Sequence, residues 1–199
     1  MRTTAPALLP LLRSGVQGRL LALLYMHPDR EYSLTDAARL IGTSVKTVQK
    51  EASRLVEADF LRDRRQGNVR LLRAAADSIV TRPLTNLLAA TYGPLPVLTD
   101  LLSGVDGVQA AFIYGSWAAR YTGTPGPVPN DVDVLVVGSA DRDLLHDLAA
   151  AAEERLGRPI NLRRVRPAAW VDAESGDPFI SSVKGQPLVQ LVLEAGEGL

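Results

Sequence analysis

The feature that most constrains the fold is the run from Ile113 to Gly138, IYGSWAARYTGTPGPVPNDVDVLVVG. A strand-like segment stops at Gly115-Ser116, a Pro/Gly-rich loop follows, and a second strand opens with Asp131-Val132-Asp133. Residues two apart on a strand share a face, so both carboxylates converge while Val132 and Val134 pack behind them. Such a pair suits one hard divalent cation. The turn at Gly115-Ser116, continued as a helix by WAARY, directs backbone N–H groups and the Ser116 hydroxyl at one spot, where an anion is favoured. The preceding segment from Val108 reads as a strand buried on both faces.

The first part of the chain has a different period and a different charge. Residues 1–80 hold 13 Lys/Arg against 8 Asp/Glu, and residues 81–199 hold 9 against 14. A basic half joined to an acidic half is what a nucleic-acid-binding module attached to another domain looks like. Val16, Leu20, Leu23 and Leu24 form a helical stripe ended by Pro28. Ser33, with Asp36 three residues on, starts a second short helix with Leu34, Ala37, Ala38 and Ile41 facing inward. Gly42 closes it, Thr43-Ser44 caps a third helix, and Val45, Val48, Ala52 and Leu55 face the core. Lys46, Thr47, Gln49, Lys50, Ser53 and Arg54 are left facing out. FLRDRRQGNVRLL then reads as a hairpin turning at Gln66-Gly67-Asn68.

Helix, short helix, Gly turn, helix and basic hairpin, over about residues 14–73, resemble a winged helix-turn-helix domain of the bacterial regulator type. The resemblance implies double-stranded DNA as partner. The third helix, with Ser44, Lys46, Thr47, Gln49, Lys50 and Arg54, would enter the major groove, and Arg64, Arg65 and Arg70 on the wing would reach phosphate or the minor groove. The competing reading is a solvated basic face, or a dimerisation or protein-docking element.

Gly-Ser, a loop, then Asp-x-Asp on a strand, over roughly residues 95–195, resemble the DNA polymerase β-type nucleotidyltransferase superfamily in its minimal form. The resemblance implies a mixed sheet backed by helices. It assigns nucleotide binding to Gly115, Ser116 and Arg120, and Mg2+ coordination and catalysis to Asp131 and Asp133. This chain departs from the pattern at the third carboxylate, whose matching position in RPINLRRVR is Asn161. An amide can ligate a metal weakly but cannot take a proton from an attacking hydroxyl. Asp172, Glu174 and Asp177 are alternative carboxylates or plain loop charges. Arg163 is placed either to neutralise a phosphate or to pair with Asp131 or Asp133, and Trp117 and Trp170 either stack a base or pack.

The expected fold class is α+β. Residues 1–80 form the winged helix-turn-helix, 81–104 a helical linker, and 105–199 a nucleotidyltransferase-like mixed sheet with flanking helices. Two helices, after Pro83 and over Pro94 to Leu102, brace the domains or form a homodimer interface. Zero cysteines excludes disulfides, thiolate metal sites and cysteine nucleophiles, and two histidines leave little for a histidine-based site. No apolar run reaches membrane-span length, so a cytoplasmic protein is expected. The expected function is a DNA-binding transcriptional regulator whose second domain senses a nucleoside triphosphate or binds a protein partner without catalysis. The alternative is an active, antitoxin-like, Mg2+-dependent nucleotidyltransferase modifying a protein or RNA.

Overall fold

The computed structural model describes residues 12–171 and 177–193. The chain divides into two compact units, Met1–Gly93 and Pro94–Leu199.

In the first unit Ser14 accepts a hydrogen bond from the Gln17 N–H at 3.1 Å and starts helix α1 (Gly15–Tyr25). Strand β1 (Tyr32–Ser33) leads into α2 (Leu34–Leu40). Ser33 Oγ accepts from the Asp36 N–H at 3.0 Å and donates to the Asp36 carboxylate at 2.7 Å. That reciprocal cap was legible as Ser-x-x-Asp. Helix α3 (Val45–Glu57) follows, capped by Ser44. Strands β2 (Leu61–Gln66) and β3 (Val69–Ala74) form the hairpin, closed by Gly67 at φ +58° and Asn68. The sheet order is β1-β3-β2, antiparallel throughout.

Leu20, Leu24, Val48, Ala52, Leu61 and Leu72 have no exposed surface and form the core. Each large aliphatic buried there is worth about 1.5–3 kcal/mol. The Tyr25 hydroxyl spans the core to donate to the Phe60 carbonyl at 2.7 Å. Val45, expected inward, is 41% exposed: as the first residue of α3 it precedes the turn where the helix meets the core. In its place the buried α3 face includes Glu51, which pairs with Arg54 at 3.4 Å. Helix α4 (Thr81–Tyr92) packs on α1.

The second unit begins with α5 (Pro94–Leu102), which packs on strand β4 (Val108–Tyr114) and on α7 (Arg142–Leu156). Between them lie α6 (Gly115–Tyr121) and strand β5 (Val132–Gly138). Strand β6 (Ile160–Val165), the short helices α8 (Pro167–Val171) and α9 (Pro178–Lys184), and strand β7 (Val189–Gln190) complete it.

The sheet order is β6-β5-β4-β7. The helical crossover through α7 makes β5 and β6 parallel, while β4 runs antiparallel to β5 and β7. The sheet is therefore mixed. On one face Leu135, Val137 and Val165 pack with Ile180 and Val183, joined by Phe112, Tyr114, Trp170 and Phe179. On the other, Ala111, Ile113, Val134 and Val136 have no exposure. On β4 only Ala111 and Ile113 are fully buried, both on that face, which corrects the expectation of burial on both faces. Ala110, Phe112 and Tyr114 are only half-buried, because α8 and α9 are too short to cover them.

Candidate functional site

Two groups of functional side chains lie one in each unit. In the first, α3 is fixed at its start by Ser44, whose Oγ accepts from the Thr47 N–H at 3.2 Å and meets Thr47 Oγ1 at 2.8 Å. Behind that cap Lys46, Gln49 and Lys50 are exposed, and Thr47 is half-buried. Burial of Val48, Ala52 and Leu55 turns these polar residues outward by helical periodicity.

The arginines expected to bind DNA divide into two groups. Arg64 donates through Nε to both Glu31 oxygens at 2.9 Å and also pairs through Nη2. Arg70 donates to Asp63 at 2.6 Å and to the Ser53 hydroxyl at 2.9 Å, and Arg54 is held by Glu51. Among the described residues Lys46, Lys50, Arg65 and Arg73 make no such pair, so these four carry the unneutralised charge of α3 and the hairpin, with Arg73 near enough to Glu31 to help hold its carboxyl down. Glu31 and Asp63, which set this division, were not singled out from sequence.

In the second unit the predicted constellation gathers. Asp133 lies opposite Asn161 on β5 and β6, and opposite Tyr114 on β4. Asn161 Nδ2 donates to Asp131 Oδ2 at 2.9 Å and to Asp133 Oδ1 at 3.1 Å. The amide thus sits between two half-buried carboxylates and offsets their repulsion. Gly115, at φ +67°, begins α6 beside them. A Cβ there would lie 2.6 Å from Asp133 Oδ2, so the close approach and the left-handed backbone both call for glycine. Ser116 is exposed next to it.

The two carboxylates are oxygen donors that fit a hard divalent cation such as Mg2+, which would be held by Asp131 and Asp133, while Asn161 turns its N–H group toward them. Among the described residues no three carboxylate, imidazole or thiol groups gather, the third member here being the amide. Burial, and secondarily the charge of Asp133, push the Tyr114 hydroxyl up in pKa, while Arg163 opposes them.

The remaining expected residues are committed elsewhere. Arg120 donates to the carbonyls of Pro127 at 3.1 Å, Pro125 at 2.9 Å and Thr124, so it ties the Pro/Gly loop to α6. Asp177 caps α9 by accepting from the Phe179 N–H at 2.9 Å, and Asp172 and Glu174 lie outside the described residues. Trp117 is 2% exposed beneath the Arg158 guanidinium, and Trp170 packs against Phe112 with Lys184 over its ring. Arg163 pairs with neither aspartate; its guanidinium lies 3.7 Å from the Phe179 ring centroid. Arg158, not singled out from sequence, is buried and donates to the Pro129 carbonyl just before Asp131.

No protein-family model and no curated protein matches the sequence. Part of the chain is similar to the heme sensor protein PefR from Streptococcus agalactiae in complex with heme. The identity is 21%, over 39% of this chain and 52% of that chain, with a TM-score of 0.33. Heme-free PefR matches with the same identity and TM-score over 66% of its chain. This chain thus spans about half the length of the first of them, and a likeness at this level carries no argument about ligand or partner.

Proposed function

We propose that this chain is a DNA-binding transcriptional regulator of winged helix-turn-helix type. One observation carries the reading: Lys46, Gln49 and Lys50, unpaired among the described residues, project from the outward side of a helix whose N-terminal end is pinned by Ser44. Side chains of this kind, on an exposed helix that fits the major groove, can touch base edges and phosphates. Arg65 on the hairpin adds a contact to the backbone. Charge reversal in Lys46→Glu/Lys50→Glu should abolish the shift of a duplex in a native gel at low salt, a loss of at least about tenfold in affinity. Retention of wild-type affinity would sink the reading.

A second reading concerns the other unit and rests on the convergence of Asp131, Asp133 and Asn161. It is a nucleotidyltransferase-like site that holds a divalent cation and a nucleotide without turning the nucleotide over. A bound Mg2+ would supply charge neutralisation for phosphate oxygens. Asp131 and Asp133 hold it, Gly115 leaves room for the Asp133 carboxylate, and Asn161 fixes both carboxylates. Nucleotidyl transfer also needs a group that accepts the attacking hydroxyl's proton, and an amide has no basic site for it. Calorimetry with ATP and Mg2+ should therefore give a binding isotherm that Asp131→Asn/Asp133→Asn removes. Labelled nucleotide transferred to a lysate protein or RNA should stay at that variant's level. Transfer above it would favour the antitoxin-like enzyme instead.

A further inference from the structure

We propose that Arg163 is the anion-gripping residue of the carboxylate site, and that the site takes a metal-chelated polyphosphate with little discrimination between nucleobases. The inference rests on reading Asp131 and Asp133 as a cation site.

Position comes first. Asn161 and Arg163 are two apart on β6, so both side chains leave the same face of the sheet, on the side of Asp133 and Tyr114. Along an extended strand that separation is about 7 Å, within the span of a cation and the phosphate it neutralises.

Orientation comes second. The Arg163 guanidinium lies over Phe179, which in turn meets Tyr114 edge to face, with ring centroids 5.9 Å apart at 81°. A guanidinium lying on an aromatic ring has lost much of its freedom and keeps its edge N–H groups for a second partner.

The absence of a protein anion is the third observation. Among the described residues Arg163 makes no hydrogen bond or ion pair, although it is exposed on the same sheet face as Asp133. Those carboxylates take their hydrogen bonds from the neutral Asn161 amide instead. Two uncompensated anionic groups and an uncompensated cation on one face suit a ligand that itself carries both charges. A polyphosphate chelating a divalent cation is such a ligand, with metal toward the aspartates and a phosphate oxygen pair on the guanidinium fork.

Base selection would need a free ring or a polar edge reader at the same place. The Phe179 ring carries Arg163, Trp117 is buried under Arg158, and Trp170 is packed on Phe112. The Phe179, Trp117 and Trp170 rings are thus occupied by the protein itself and Tyr114 is set edge to face against Phe179, which leaves the phosphates as the chief recognised part.

Calorimetry of the full chain with Mg2+ and, in turn, inorganic tripolyphosphate, ATP, GTP, CTP and UTP tests this, with Mn2+ binding followed separately by electron paramagnetic resonance. Expected are affinities for the four nucleotides within about fivefold of each other, and tripolyphosphate within about tenfold of them. Arg163→Met keeps an apolar stem on Phe179 and should weaken all five by at least about tenfold, with Arg163→Lys recovering part. Mn2+ affinity without phosphate should be undiminished in both variants. Unchanged phosphate affinity in Arg163→Met, or a strong preference for one base, overturns the proposal. If wild type binds Mn2+ but no polyphosphate, the Arg163 inference fails while the cation site stands; if it binds neither, both fail.

Discussion

At the residue scale, Glu31 controls how much of the hairpin's charge reaches a partner. Its carboxylate is held below the usual range by its hydrogen bonds with Arg64, and that contact neutralises an arginine expected from the sequence to reach phosphate. A phosphate engaging Arg64 must displace Glu31 first. Glu31→Gln should therefore tighten duplex binding and steepen the dependence of log affinity on log salt by about one ion. An unchanged slope in anisotropy titrations would show that Arg64 does not face DNA. This pair was not legible in the sequence, because its members are separated by 33 positions that bring β1 and β2 to opposite sides of β3. The caps at Ser33 and Ser44 were legible because their partners lie three residues on, within one helical turn. The Asp133–Asn161 contact was legible through the resemblance, which matches Asn161 to the third carboxylate position on the next strand. Alternation fixes which side chains share a strand face, and one parallel crossover brings the two strands together.

At the element scale, α7 forms the crossover that makes β5 and β6 parallel neighbours, and its start depends on Asp141. That carboxylate accepts from the Asp143 and Leu144 N–H groups at 2.9 and 3.0 Å. The Leu144 hydrogen bond, foremost, pulls its pKa below the ordinary 3.8. The folded-state value is the lower one, so the charge contributes stability above about 3.8 that is lost as pH falls through the folded-state value. Asp141→Asn should lower the second unit's thermal midpoint at neutral pH, and the gap to wild type should close on acidification below that value. A gap that stays constant with pH would mean that the charge contributes nothing beyond hydrogen bonding. A long element such as α3 was readable from its period and its Ser44 cap. Three short ones were not: β7 is two residues whose strand character comes from pairing with β4, and α8 and α9 lack the Ser-x-x-Asp start that marks the equally short α2. The helical stretch 81–104 was read as one linker. Its two helices pack in different units, α4 on α1 and α5 on β4 and α7, a partition decided by tertiary partners.

At the scale of the whole molecule, the charge asymmetry of the sequence maps onto two units with different chemistry. Residues 1–80 carry excess positive charge and contain α3 and the hairpin, and the acidic remainder contains the carboxylate site. Among the described residues no helix is long and apolar enough to cross a membrane. DNA recognition is proposed to rest on Lys46, Lys50 and Arg65, three of the cations that are left unpaired among the described residues. The most direct test is fluorescence anisotropy of a labelled random-sequence duplex titrated with the full chain across a series of salt concentrations. Three phosphate contacts predict saturable binding at low salt, with log affinity falling against log salt at a slope of about 3 per chain bound. Absence of saturable binding at the lowest salt, or binding indifferent to salt, would contradict the account.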